Sequence, residues 1–203
     1  MSKIAKQILI ARHGNRLDFV HPEWFTIARR RYDPPLSQDG KEQILQLAKT
    51  MTTEKIDHIF ASPFLRTIQT ADIIAQSLNL PIKLEAGLGE WHNADWMSES
   101  PQIHPQQELE VGYPSIDWSY NSQVIPQYPE TEAEVLERIN MTIDKLIFHS
   151  DGNLLIVGHS ITVTGIIKAL INSDDNEQEF KTDLGSLNKL IQTESGAWSL
   201  DCD

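Results

Sequence analysis

The sequence predicts an α/β fold, a three-layer α/β/α sandwich around a mostly parallel sheet. Two observations lead to this prediction. Apolar runs of four residues recur along the chain, and segments with apolar residues at helical spacing lie between them. Strands that alternate with amphipathic helices form parallel sheets whose two faces are covered by helices. The runs lie at 8–11, 58–61 and 154–157, and each ends in a polar loop.

The elements of the first half follow from capping and periodicity. Ser37 is a predicted helix N-cap, and apolar residues at helical spacing follow it as far as Met51. The strand at 58–61 leads into a second helix, whose apolar face runs from Leu65 to Leu78. A third short strand is expected at 82–84, leading into the bend before Glu90.

Residues 91–129 differ from the rest in composition, being rich in proline, tryptophan and tyrosine. Long loops inside compact domains are uncommon and often functional. We therefore expect residues 1–203 to form a single domain in which 91–129 is an insertion covering the site, not a second domain.

The second half opens with a capping box at Thr131 and Glu134, which predicts a helix through Ile147. The buried strand noted above follows it. The remaining predictions are a helix, an acidic surface loop and two final strands, at about 162–171, 172–179, 185–190 and 197–200.

Charge and composition exclude some classes of function. The chain has a net charge of −12, which disfavours binding to nucleic acid or to anionic membranes. The apolar run at 8–11 is too short for a signal peptide or a membrane span. The one cysteine, Cys202, has no internal disulfide partner, so we expect a reducing, cytoplasmic location.

Basic and imidazole side chains follow three of the predicted strands. Arg12 and His13 end the first, Arg66 comes one helical turn after the second, and His159 ends the strand at 154–157. Ligands of parallel α/β sheets bind beyond the carboxyl ends of the strands. Arginine forks match phosphate oxygens, and a neutral imidazole can attack phosphorus. Glu90, just past the third strand, is the best-placed acid for a leaving alkoxide.

Five blocks of the chain also carry a family resemblance. They are Ala11-Arg-His-Gly14, Asp33-Pro-Pro-Leu-Ser-x-x-Gly40, Ser62-Pro-Phe-Leu-Arg-Thr-x-Gln-Thr-Ala71, Gly89-Glu-Trp91 and Val157-Gly-His-Ser160. Together they resemble the histidine phosphatase superfamily, also called the phosphoglycerate-mutase-like superfamily. The resemblance spans nearly the whole chain. It implies a phosphoglycerate-mutase-like fold and a phosphatase that needs neither a metal nor another cofactor.

The resemblance also implies a role for each motif residue. Arg12, Arg66 and His159 would bind phosphate, His13 would be the nucleophile that forms a phosphohistidine, and Glu90 would be the general acid and base. Ser160 follows the second histidine, where the acid-phosphatase branch carries aspartate. This difference assigns the chain to branch 1 of the superfamily.

Within branch 1 a narrower likeness exists. Arg12-His-Gly-x-Arg-x-Asp18, Ile56-Asp-His58 and Leu88-Gly-Glu-Trp91 resemble the phosphatase domain of the suppressors of T-cell-receptor signalling and the ecdysteroid-phosphate phosphatases. The counterpart of Arg16 is a further phosphate ligand in those proteins; the alternative for Arg16 is an ion pair, with Asp18 or with a carboxylate of the insertion. Phosphoglycerate mutases carry serine and then Trp-Asn soon after Arg-His-Gly, and this chain does not. This difference disfavours mutase activity, and a mutase-type phosphotransferase is the alternative enzyme.

The sequence motifs for other classes of function are weaker. Gly158-His-Ser160 resembles half of a nucleophile elbow, but Thr162 replaces the second glycine and no histidine follows. No His-Glu-x-x-His spacing indicates a metal hydrolase. A non-catalytic phosphate-binding module would keep the arginines. We expect a small phosphorylated substrate or a phosphoprotein as partner, and a homodimer is plausible.

Overall fold

The computed structural model describes residues 7–171 and 179–201, which form one six-stranded sheet. The strands are β1 (Gln7–Arg12), β2 (His58–Ala61), β3 (Ile82–Leu84), β4 (Leu154–Gly158), β5 (Leu187–Gln192) and β6 (Trp198–Asp201). They lie in the spatial order β3-β2-β4-β1-β5-β6. The first four of these are parallel to one another, whereas β5 is antiparallel to β1 and β6 is antiparallel to β5. The prediction of a mostly parallel sheet is confirmed.

Helices cover both faces of this sheet, so the three-layer prediction is also confirmed. The helices are α1 (Leu17–Val20), α2 (Trp24–Ile27), α3 (Gln38–Met51), α4 (Leu65–Leu78), α5 (Gln106–Leu109), α6 (Glu132–His149) and α7 (Ser160–Leu170), with a 3-10 turn at Ala86–Leu88. Successive strand residues point to opposite faces. Leu9 and Leu155 pack with α3 and α4, while Ile8 and Ile156 pack with α6 and α7. No helix in the described ranges is long and apolar enough to cross a bilayer.

The predicted caps are present, and one helix begins earlier than predicted. The Ser37 hydroxyl accepts from the Gly40 N–H at 3.2 Å, and Thr131 forms its capping box with Glu134. Helix α7 starts at residue 160, not near 162, because His159 is its N-cap and the Thr162 hydroxyl accepts the His159 N–H from inside the first turn.

The last strands also differ slightly from prediction. Strand β5 begins at Leu187, because Gly185 has a φ of +71° and forms a turn. Strand β6 begins at Trp198. The predicted acidic loop at 172–179 lies outside the described residues except for Glu179.

The segment 91–129 packs on the same core as the rest of the chain. Its Leu109 and Ile116 belong to the cluster on the α3 and α4 face. The fully buried Glu85 carboxylate accepts from the Tyr120 hydroxyl at 2.6 Å and from the backbone N–H of Gln123 and Val124. These bonds fasten the second half of the segment to the end of β3.

A second buried carboxylate fastens the first half of the segment. Asp33 accepts from the His104 ring at 2.7 Å and from its backbone N–H at 3.2 Å. Its other oxygen accepts from the Leu65 N–H at 2.6 Å, at the start of α4. The segment is therefore bonded to the same helix that carries Arg66.

Candidate active site

The parallel register brings three of the predicted residues to one edge of the sheet. Arg12 lies opposite Gly158, so His13 and His159 follow neighbouring strands. Their ring centroids are 5.3 Å apart. Ala61 lies opposite Val157, which brings Ser62 beside the same histidine. The expected meeting of strand ends therefore occurs.

His13 is held as a neutral imidazole with one defined tautomer. It is 1 % exposed, and its Nδ1 lies 2.8 Å from the Gly14 carbonyl oxygen. A carbonyl can only accept, so Nδ1 carries the proton and the lone pair is on Nε2. Burial first, and then the charge of Arg66, holds the pKa of His13 well below 6.5. The ring is thus ready to act as a nucleophile at neutral pH.

The backbone of His13 is fixed from both sides. Its N–H donates to the Gly158 carbonyl at 3.0 Å, and its own carbonyl accepts from the Gly185 N–H at 2.9 Å. Arg12 donates through Nη1 to the Thr182 carbonyl. Residues before β5 therefore help to hold both members of the first motif.

Arg66, Glu90 and His159 form a compact triangle. The Arg66 Nη2 lies 3.2 Å from Glu90 Oε2 and 3.2 Å from His159 Nδ1, and the last two atoms are 3.3 Å apart. Arg66 is 1 % exposed, His159 is fully buried and the Glu90 side chain is 17 % exposed. The predicted acid therefore contacts two of the predicted phosphate ligands.

The triangle sets the charge of each member. Burial raises the pKa of the Glu90 carboxyl, but the contacts with His159 and Arg66 lower it by a larger amount. The net pKa is well below 4.5, so the carboxylate is ionised. Burial lowers the pKa of His159 to about 4, with Arg66 adding to the effect against the opposing pull of Glu90. Burial and then Arg16 lower the pKa of Arg66 to about 10, which leaves it charged.

Ser62 completes this group and was not assigned a role from the sequence. Its fully buried hydroxyl lies 2.8 Å from His159 Nε2. Arg66 donates to Nδ1 of the neutral ring, so Nε2 carries the hydrogen and donates it to Ser62. The position of Ser62 directly after β2 was the available signal, because that strand neighbours β4.

Two guanidinium donors in this region have no partner. Among the described residues, the Nε atoms of Arg12 and Arg66 are buried and make no hydrogen bond. Buried unpaired donors are rare in proteins and often mark a functional site. Two such N–H groups, one on the residue before His13 and one on the arginine that contacts His159, suit an anionic ligand.

Arg16 is engaged differently from the other arginines. Its Nε and Nη2 both donate to the Asp18 carboxylate, with the first distance 2.9 Å. Its Cζ lies 4.3 Å from the centroid of the Phe19 ring. Burial first, and then the charge of Arg16, lowers the pKa of both Arg66 and Arg12. The predicted phosphate ligand is therefore close to the site but paired with a carboxylate.

The ligand atoms of His13, Glu90 and His159 all lie within 4.8 Å of one another, which is compatible with a metal ion on distance alone. The charges argue against this. The Arg66 guanidinium already bonds Glu90 and His159, and a cation would have to displace it. The same positive charges favour an anion.

Comparison with known proteins identifies the family of this chain. Residues 8–202 match the family model of the histidine phosphatase superfamily, branch 1. The chain belongs to this superfamily, as its motifs predicted.

Individual relatives resemble the chain more closely in fold than in sequence. It is 26 % identical to the ecdysteroid-phosphate phosphatase of Drosophila melanogaster over 196 residues, covering 78 % of this chain and 26 % of that protein. It is 26 % identical to the human ubiquitin-associated and SH3 domain-containing protein A over 85 % of this chain and 32 % of that protein. The chain thus spans about a quarter to a third of these relatives. The solved ecdysone phosphate phosphatase of Bombyx mori, in complex with tungstate, superposes with a TM-score of 0.80 at 22 % identity, covering 98 % of this chain and 92 % of that one.

The buried neutral histidines predict a pH-dependent stability. Because burial first lowers the folded-state pKa of His159 to about 4, its protonation below about pH 6.5 favours the unfolded state. We expect this residue to remove about 1.4 kcal/mol of unfolding free energy per pH unit once the pH is below 6. Urea unfolding at pH 7, 6 and 5 measures the slope.

The variant His159→Asn should show a shallower slope than the wild type by about one proton, whereas His149→Asn, on the exposed face at the end of α6, should not. Identical slopes for His159→Asn and the wild type would show that the buried ring does not titrate in this way.

Proposed function

We propose that the chain is a phosphomonoester phosphatase that acts through a phosphohistidine on His13, with Glu90 as general acid and then general base. The observation that carries this proposal is the pair of buried, unpartnered Nε–H donors of Arg12 and Arg66. Arg12 directly precedes His13, and after burial the charge of Arg66 lowers the pKa of the His13 ring, whose tautomer leaves Nε2 free to attack. Membership of the superfamily supports the same reading.

In the first step, His13 Nε2 attacks the phosphorus, a P–N bond forms and the bond to the leaving alcohol breaks. The departing alkoxide takes a proton from Glu90. In the second step, water attacks the phosphorus, Glu90 takes its proton, and the P–N bond breaks to release phosphate and neutral His13. Splitting the displacement in this way replaces one difficult step by two easier ones.

The proton for the first step must arrive with the substrate, because Glu90 is ionised in the free site. A phosphate group beside the carboxylate adds negative charge and raises its pKa. The monoanion of a phosphomonoester also carries a proton of its own. Either route leaves Glu90 protonated only when a phosphate group is present.

The arginines hold the phosphate and stabilise the charge that develops on it. Arg12 and Arg66 supply the unpartnered donors, and His159 contributes once it takes up a proton next to the anion. Arg16 is a further ligand whose fork the phosphate would share with Asp18 or take from it. These roles require no metal, and the guanidinium at the centre of the site opposes one.

The 91–129 insertion and the α1 segment supply an apolar rim for the leaving group. Phe19 is 53 % exposed and lies against the Arg16 guanidinium. Trp96 is 62 % exposed and packs on the ring of Trp91, whose backbone N–H donates to the Glu90 carboxylate. Such surfaces favour an alcohol with a large apolar body. The name of the Drosophila relative, an ecdysteroid-phosphate phosphatase, supports this substrate class.

Replacing the nucleophile should abolish turnover. We expect His13→Ala to lower kcat toward p-nitrophenyl phosphate by at least about a thousandfold, because no other group can accept the phosphoryl. Rapid-quench labelling with phosphate-labelled substrate should find an acid-labile phosphoenzyme in the wild type and none in the variant. His149→Ala, on the exposed face of α6, is the matched control. A folded His13→Ala protein with wild-type rates would reject this assignment.

Metal removal should leave the activity unchanged. Because the Arg66 guanidinium bonds both the Glu90 carboxylate and the His159 imidazole, we expect full activity after dialysis against EDTA and no gain on adding Mg²⁺ or Zn²⁺. Steady-state rates before and after chelation measure this. Loss on chelation with recovery on Zn²⁺ would contradict metal independence without affecting the family assignment.

Removing the acid should hurt poor leaving groups most. The ratio kcat/KM reports the steps up to departure of the alcohol, so it isolates the first proton transfer from the later hydrolysis. We expect Glu90→Gln to lower kcat/KM for an alkyl phosphate by about a hundredfold or more, and for p-nitrophenyl phosphate far less. Equal losses on the two substrates would argue against the acid role.

A further inference from the structure

The backbone that carries Glu90 is held by one buried guanidinium. Arg138, on α6, is 4 % exposed and donates through Nη1 to the carbonyl oxygens of Gly87 at 2.8 Å and Gly89 at 3.2 Å. Its Nη2 donates to the carbonyl oxygen of Glu90 itself at 3.1 Å. Three carbonyls within four residues thus converge on a single side chain, which bonds the backbone of Glu90 and not its carboxylate.

The chain on the other side of Glu90 is held by the ion-pair partner of this arginine. Glu130 is 8 % exposed and accepts from Arg138 Nε at 2.5 Å and from Nη2 at 2.8 Å. The same carboxylate accepts the His92 N–H at 3.2 Å. The Glu130 carbonyl accepts from Trp91 Nε1 at 2.9 Å, and the Glu130 N–H donates to the His92 carbonyl at 2.9 Å. The Arg138–Glu130 pair therefore bonds the residues both before and after the catalytic carboxylate.

Two glycines allow this bend. A Cβ at Gly87 would lie 2.1 Å from the Thr142 hydroxyl oxygen of α6, and a Cβ at Gly89 would lie 2.9 Å from the Ala86 carbonyl oxygen within the bend itself. Burying an ion pair costs desolvation that its attraction only partly offsets, and an apolar pair of the same size is often as stable. An apolar pair could not donate to three carbonyls. The ion pair therefore fixes the geometry of the bend and does not act on stability alone.

We propose that Arg138 and Glu130 are positioning residues that fix the Glu90 carboxylate for proton transfer. This inference depends on the proposed role of Glu90. Proton transfer needs donor and acceptor within hydrogen-bond reach, and a shift of about 1 Å can cost about a hundredfold in rate. Loss of either residue frees the bend to move, while His13 and Arg12 keep their contacts with Gly14, Gly158, Gly185 and Thr182.

The test compares leaving groups in Glu130→Gln and Arg138→Met. For an alkyl phosphate we expect kcat/KM to fall about tenfold to a hundredfold, and for p-nitrophenyl phosphate less than about threefold. Glu134→Gln is the matched control, because it lies on the same helix, weakens only the exposed capping box and should change neither value. Combining Arg138→Met with Glu90→Gln should add little to the leaving-group effect of Glu90→Gln alone, since both act on one proton transfer.

Each result bears on one of the two proposals. If Glu90→Gln itself affects both substrates equally, the acid role fails. If Glu90→Gln is selective but Glu130→Gln and Arg138→Met lower both substrates equally, the pair is structural only and this inference is overturned. Should Arg138→Met not fold, Glu130→Gln decides the matter, because it keeps the shape of the side chain and one acceptor oxygen.

Discussion

The need to compensate one buried positive charge organises this molecule. Arg66 is almost completely inaccessible, and its charge is balanced by Glu90, with His159 completing the triangle. A buried charge is tolerated only when it is paired and hydrogen-bonded. Within the described part of the chain, its Nε–H makes no hydrogen bond. In the proposed function an incoming anion would accept this N–H, so the charge that Glu90 balances in the folded protein would also bind the substrate.

The neutral state of the two histidines follows first from burial and then from that charge. Burial lowers the pKa of both rings, and the nearby guanidinium lowers each further. In the proposed reaction, His13 needs a free lone pair, whereas His159, whose one N–H bonds Ser62, must gain a second proton to donate to a phosphate oxygen. An anion placed between Arg66 and the two rings would favour protonation of His159 while forming its bond with His13.

Much of this arrangement could be predicted from the sequence, because the side chains stand directly at strand ends. Parallel strands bring their carboxyl ends to one edge, so Arg12, His13 and His159 meet without further information. The helix caps at Ser37 and Thr131 could also be predicted, because each depends on a residue three positions further along the chain. Arg66 was predictable because it lies within one turn of such an end.

The residues that escaped prediction act through tertiary contacts. Arg138 lies in the middle of a helix, where an arginine is ordinarily solvated, and nothing nearby in sequence indicates that it faces the bend 48 residues earlier. The pairing of Arg16 with Asp18 was one of two open readings, because both residues are charged and close in sequence. The path of 91–129 was not predictable either, since it depends on Glu85 and Asp33 being buried.

The antiparallel strand β5 affects when the candidate site can be assembled during synthesis. Strand β5 lies along β1, and the turn before it bonds the backbone of His13 and the side chain of Arg12, the latter across 170 residues of sequence. During synthesis the first motif emerges from the ribosome well before this turn. Until the turn and β5 have docked, β1 is an uncovered edge and the His13 backbone lacks its bond to Gly185. The candidate site is therefore incomplete until β5 has been synthesised.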